Sequence, residues 1–174
     1  MTQFKDIQTK IKLFYRIFSG KIKKSNSLIE ISSENKKSIK NILIIFPISE
    51  DPFRVALYSF RTFIKNKDIN YYFIINQVYQ HHFNLPGYVF NLNSQKKKIK
   101  IDETFYDERI INKEFDFIID LNNEFIYDIC NLLNDMKSYY KVGFNHKYSD
   151  YFYNIQLETD ILENSYNKIQ EMIH

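Results

Sequence analysis

The residues best suited to chemistry gather in three short stretches. The first is Pro47-Ile48-Ser49-Glu50-Asp51-Pro52, between the apolar run Asn41–Phe46 and a helical pattern. A strand–turn–helix unit that cradles a dinucleotide carries glycines, so that backbone amides reach the pyrophosphate. This turn has none. It offers a hydroxyl and two carboxylates instead, which suit proton abstraction or the holding of ligand hydroxyls. Asp51 is the candidate general base, with Ser49 and Glu50 as candidate substrate contacts. Its competing role is as cap of the next helix, with Pro52 at the first helical position. The two roles are compatible.

The second stretch is Ile118-Ile119-Asp120-Leu121-Asn122-Asn123. A carboxylate at the end of an apolar strand is costly unless paired or hydrogen-bonded. Asp120 therefore either holds a ligand or accepts backbone amides from a nearby loop. Asn122 is a candidate ligand contact, and Asn122 and Asn123 also read as helix caps. The third stretch runs from Gly143 to Asp150 and holds His146, Lys147, Ser149 and Asp150. A basic pair such as His146 and Lys147 at a strand end suits a phosphate, or is simply a solvated loop.

Other chemistries find little support. His81 and His82 are adjacent, so they are expected to point apart, and they lack the i, i+4 spacing of a helical metal pair. Cys130 is the single cysteine. No intrachain disulfide or four-cysteine metal site can form, and a reducing cytoplasm is the expected compartment. Cys130 falls in an apolar helical pattern and reads as a buried, inert thiol. There is no Gly-rich phosphate loop and no G-x-S-x-G elbow. Neither a metal nor a cofactor is expected, and no nucleic-acid partner.

The elements that would position these stretches follow from hydrophobic periodicity. A hydrophobic content of 44%, of which aromatics make a large part, excludes a disordered chain. From residue 40 onward, strands alternate with helices. Strands are expected at Asn41–Phe46, Asn70–Ile75, Gly87–Leu92, Phe115–Leu121, Tyr139–Phe144 and Phe152–Leu157. Helices are expected at Asp51–Asn66, Asn123–Met136 and Asp160–Ile173, with shorter ones at Gln77–His82 and Tyr106–Asn112. The face of the first of these carries Phe53, Leu57, Phe60 and Ile64. Asp160 and Glu163 have the spacing of a capping pair. Lys96–Lys100 reads as a basic loop or sheet edge. Strands apolar on both faces point to an α/β, Rossmann-like, doubly wound fold. Its mainly parallel sheet would have about five to six strands, and sites would lie beyond their carboxyl ends.

Ahead of this unit lies a separate arm. Residues 1–20 read as a basic amphipathic helix, 21–39 as a linker and 40–174 as one Rossmann-like domain. Phe4, Ile7, Ile11, Phe14 and Phe18 form one stripe, and Gly20 is placed to end the helix. Residues 1–40 carry ten Lys or Arg against three acids, a net of +7; the remaining 134 carry fourteen against eighteen, a net of −4. The basic surplus therefore belongs to the arm. The stripe either packs on the domain or meets a membrane. No apolar run is long enough to span a bilayer, and the N-terminus does not read as a signal peptide.

Two segments together are specific. Asn41 through Phe63 reads NILIIFPISEDPFRVALYSFRTF, and Glu114 through Phe144 reads EFDFIIDLNNEFIYDICNLLNDMKSYYKVGF. Over roughly residues 40–158 the chain resembles the acceptor-binding N-terminal half of the heptosyltransferase-like glycosyltransferases, family 9, of B-type fold. Phe115 through Leu121 and Lys141-Val142-Gly143-Phe144 resemble the family's later strand elements, and Phe60-Arg61 its helix end. Asp51 matches the family's loop aspartate, which implies a general base that activates an acceptor hydroxyl. Glu50 stands where the family has glycine. The family's donor-binding second half has no counterpart, and the chain ends on a helix where it would begin.

The resemblance implies a nucleotide-sugar donor, a glycan or lipid-linked acceptor, and work in cell-envelope glycan (lipopolysaccharide) synthesis. It implies a cytoplasmic location, peripheral to the inner membrane through residues 2–24. A partner chain or homodimer would complete the cleft. Two readings stand beside it. One is a non-catalytic binding or scaffold domain of the same fold, which Glu50 favours. The other is a small receiver-like domain using Asp51 and Asp120, which lacks a clearly placed late-strand lysine.

Overall fold

The computed structural model describes residues 2–24, 39–64, 66–95, 98–158 and 161–173. One sheet of seven strands organises them: β1 (Asn41–Ile45), β2 (Asn70–Asn76), β3 (Tyr88–Gln95), β4 (Lys98–Ile101), β5 (Glu114–Asp120), β6 (Lys137–Phe144) and β7 (Ile155–Leu157). Five helices accompany them: α1 (Thr2–Phe18), α2 (Glu50–Phe63), α3 (Glu103–Asp107), α4 (Tyr127–Asp135) and α5 (Leu162–Ile173). The spatial order is β4-β3-β2-β1-β5-β6-β7. Every pairing is parallel except β3 with β4. The α/β expectation holds. The extra strand is β4, drawn from the basic edge segment, where lysines on an outer strand discourage further pairing.

β1 explains the layering. Ile42, Ile44 and Phe46 enter one core with α2 and α5, while Leu43 and Ile45 enter the other with α1 and α4. A strand buried on both faces needs apolar side chains at successive positions, and Ile42 through Ile45 supply them. Phe46 is ringed by Phe53, Phe60, Phe73 and Phe83 at centroid distances of 5.1–6.2 Å. Truncating such a ring would cost about 3–5 kcal/mol. The α2 face read from the sequence (Phe53, Leu57, Phe60, Ile64) is buried at all four positions.

At the amino edge of the sheet, Asp116 accepts the backbone amides of Lys40 and Asn41 at 2.8 and 3.0 Å, fixing the start of β1. Gly20 ends α1 at φ +69°, where a side chain would be strained, and the Lys21 amide donates to the Arg16 carbonyl at 3.0 Å. Asp160, expected to cap α5, and most of the expected linker lie outside the described residues.

Candidate functional site

The sheet changes direction at β1. The chain runs outward from β1 to β2 and β3, then returns to lay β5 against the other side of β1. The turns after β1 and β5 therefore face each other at the topological switch point, where open α/β sheets bind ligands. These turns hold Ser49-Glu50-Asp51 and Asp120-Leu121-Asn122.

The β1–α2 turn is clamped from both sides. The Ile48 amide donates to Asn122 Oδ1 at 3.0 Å, and Asn76 Nδ2, at the end of β2, donates to the Ile48 carbonyl at 3.2 Å. The next three residues are thereby held in place and left in solvent. Ser49, Glu50 and Asp51 are all exposed. Ser49 occupies the N-cap position without a side-chain bond, and α2 opens at Glu50. Asp51 is therefore not the cap that its spacing to Pro52 suggested. It lies in the first turn of the helix, where a carboxylate is favoured by the orphan amides and the helix dipole. Asp51 accepts no hydrogen bond among the described residues, whereas Glu50 pairs with Arg54 one turn on.

Asp120 is the opposite case. It is 2% exposed. Its Oδ1 accepts from the Asn122 amide at 3.0 Å and from Asn122 Nδ2 at 2.7 Å, and its Oδ2 accepts from the Tyr153 hydroxyl at 2.6 Å. Burial pushes its carboxyl above the usual range, and the bonds from Tyr153 and Asn122 partly oppose that. Burial beside this carboxylate also drives the Tyr153 hydroxyl and the Cys130 thiol up, so Cys130 is an inert core residue. Asn122 is not a helix cap. α4 starts at Tyr127, and the Asn122 side chain bridges Asp120 to Ile48. A chain of contacts thus runs Tyr153–Asp120–Asn122–Ile48. It sets the height of the β1–α2 turn from two strands away.

Tyr153 was not foreseen, because 33 residues of sequence separate it from its carboxylate. The one available signal is Gly143. A Cβ there would lie 2.4–2.6 Å from the Tyr153 ring, so only glycine lets that ring reach Asp120.

His146 and Lys147 do not act as a cationic pair. The His146 ring lies against Phe125, with centroids 4.9 Å apart, and against Tyr153 at 5.9 Å. Its Nδ1 accepts the Tyr148 amide at 3.2 Å, and burial lowers its pKa, so it is neutral near pH 7. Its Nε2 is buried and without a partner among the described residues. Lys147 is exposed, with Nζ over the Tyr148 ring at 5.5 Å. His81 and His82, expected to point apart, have ring centroids 3.9 Å apart in a 3-10 turn. Among the described residues no three His, Cys, Asp or Glu side chains are placed to hold a metal ion.

A cleft of about 290 Å³ runs along α2, from Glu50 in its first turn to Arg61 in its last, between that helix and the segment after β2. Its walls include Glu50, Arg54, Tyr58, Arg61, Tyr79 and His82. Burial, and then the charges of Glu50 and Asp51, raise the Tyr79 hydroxyl's pKa. Of these residues, Glu50 is the one whose position in the sequence suits ligand contact.

No family model and no curated protein sequence matches the chain. Two solved structures share its fold. A family 9 glycosyl transferase from Veillonella parvula superposes with a TM-score of 0.55 at 11% identity, covering 77% of this chain and 41% of that one. The E. coli heptosyltransferase WaaC, solved with ADP, gives 0.52 at 10% identity, covering 76% and 46%. The chain spans less than half the length of either, and over that span it has the α/β fold of a family 9 glycosyltransferase.

Proposed function

We propose that this chain is the acceptor side of a sugar transferase, with Asp51 as the base that takes the proton from the acceptor hydroxyl. The observation that supports this most is the state of Asp51. It is exposed and accepts no hydrogen bond among the described residues, on a turn clamped at the switch point of a glycosyltransferase-like sheet. The cleft that begins at the neighbouring Glu50 offers arginines and tyrosines, which suit an acceptor glycan bearing negative charge. The donor is a nucleotide sugar, bound by a second half that completes the cleft. The acceptor is a glycan or lipid-linked sugar of the cell envelope, met at the cytoplasmic face of the membrane.

A second reading, a binding or scaffold domain of the same fold, has its own support. Asp120 and Asn122 are fully engaged within the protein, and Glu50 is ion-paired. Saturation-transfer NMR of the whole chain against charged glycans and nucleotide sugars separates the two. Acceptor signals that vanish in Asp51→Asn, with the fold intact, support the transferase reading. Absence of any sugar binding overturns it and leaves the scaffold.

A further inference from the structure

Helix α1 has two faces with opposite surroundings. Leu13, on the helix, and Ile22, just beyond its end, are each 1% exposed and sit in the core beneath α4, with Ile17 packed beside them. Polar contacts lock this docking. Arg16 meets Asp135 at 3.7 Å, Asn134 Nδ2 donates to the Lys21 carbonyl at 3.4 Å, and Lys24 meets Asp150 at 3.4 Å. The roll of the helix is therefore set. The opposite face then carries Ile11, Phe14, Tyr15 and Phe18, which are 63, 71, 65 and 83% exposed. The rings of Phe14 and Phe18 stack on each other at 6.3 Å. The stripe that the sequence offered to either the domain or a membrane is thus, at its described positions, the one facing away from the domain.

Four large apolar side chains side by side on one helix face form a patch, which scattered surface residues do not. At about 100° per residue, Lys10 and Lys12 fall on either side of it. Lys21, Lys23 and Lys24 follow the helix end. Residues 10–24 hold six Lys or Arg and no Asp or Glu.

We infer that this face of α1 docks on an anionic lipid bilayer. The helix lies flat in the headgroup layer, with Phe14 and Phe18 toward the acyl chains and the flanking lysines against lipid phosphates. Charge selects this occupant. A second copy would set the same lysines against themselves. A narrow apolar stripe with cations on both flanks is the geometry of a helix resting on a flat, negatively charged interface. The inference stands on α1 alone and does not depend on sugar transfer.

The chain has no tryptophan. Phe18→Trp in the full-length chain therefore installs a single indole reporter. Vesicles of phosphatidylcholine with phosphatidylglycerol are expected to blue-shift its emission and carry the protein down on sedimentation. Pure phosphatidylcholine is expected to do so weakly, and added salt to weaken the anionic case. Adding Phe14→Ser and Ile11→Ser should lower the apparent affinity at least about tenfold with an unchanged circular dichroism spectrum. Lys12→Glu with Lys23→Glu should weaken binding to the anionic vesicles alone. The inference is overturned if anionic vesicles give no shift and no sedimentation, or if the serine substitutions leave binding unchanged. It is equally overturned if the indole shifts with protein concentration in the absence of vesicles, which would assign the face to a second copy.

Discussion

Asp51 follows β1 and Asp120 ends its parallel neighbour β5, so both stand at the carboxyl edge of the sheet. In a sequence they look like a pair of candidate acids. Their surroundings divide them. Asp51 sits in water in the first turn of a helix and accepts no hydrogen bond among the described residues. Asp120 is out of water, with donors on both oxygens. A carboxylate saturated by its own protein has little left for a ligand, whereas an exposed one keeps its lone pairs. Position at a strand end thus nominates a site, and the hydrogen-bond inventory decides which acid is open to a ligand and which one holds the turn in place. Here Asp120 supports Asn122, Asn122 supports Ile48, and the turn that carries Asp51 follows.

The largest effect that would test this division is on transfer. With donor half and acceptor supplied, Asp51→Asn should lower turnover by about 10²–10⁴-fold, the usual worth of a positioned base. Its denaturation midpoint should barely move, because exposed substitutions stay within about 0.5 kcal/mol. Turnover unchanged by that substitution would remove Asp51 from the chemistry. Gly143→Ala comes next. A methyl group 2.4–2.6 Å from the Tyr153 ring must push that ring off Asp120, and urea denaturation should show a loss of about 3 kcal/mol. A stable Gly143→Ala protein would mean that the ring has room to move. Tyr153→Phe follows. It strips Asp120 Oδ2 of its donor without adding volume, for a loss of about 1–3 kcal/mol. The same substitution should raise the Asp120 pKa further, because the Tyr153 hydrogen bond stabilises the carboxylate against the effect of burial.

The sheet was more legible than the site. Apolar runs such as Ile42 through Phe46 and Phe117 through Ile119 announce buried parallel strands, and the helix periodicity of α2 gave its buried face correctly. Boundaries slipped where caps were inferred from composition. Asn122 and Asn123 look like caps, yet α4 begins four residues beyond Asn123, because Asn122 is engaged across the sheet. The turn after β6 misled for a related reason. His146 and Lys147 are adjacent in sequence, but one ring is buried among aromatics and the other side chain is in solvent. Partners brought together by crossovers, such as Asp120 with Tyr153 or Asp116 with the start of β1, leave no local pattern. The amphipathic stripe of α1 was plain in the sequence. Which of its faces met the domain was not, since Leu13 and Ile17, four residues apart, offer a second apolar face.

The smallest and most discriminating effect concerns Asp120→Asn. The variant keeps an oxygen to accept from Asn122, and its Nδ2 can donate to the Tyr153 hydroxyl, so the geometry survives and any change at low pH should stay near 1 kcal/mol. What differs is ionisation. The folded protein holds the Asp120 carboxyl above its ordinary range, chiefly through burial. The unfolded chain releases that proton near pH 4. A raised folded pKa means that the folded state binds the proton more tightly. The stabilisation this carries is therefore complete below pH 4 and is lost as pH rises through the folded value. Asparagine has no such term. The stability of Asp120→Asn minus that of the wild type should accordingly grow in the variant's favour as pH rises from about 4, and level off once the wild-type carboxyl is ionised. Taking the difference cancels the other carboxylates, including Asp150, whose pKa is lowered by its bonds to Gln156 and Lys24 and whose own contribution runs the other way. A difference that stays flat across that range would show an Asp120 that ionises as easily in the fold as out of it. The hydrogen bonds from Tyr153 and Asn122 would then outweigh burial, and Asp120 would be a charged anchor beneath the turn rather than a buried acid that resists ionisation.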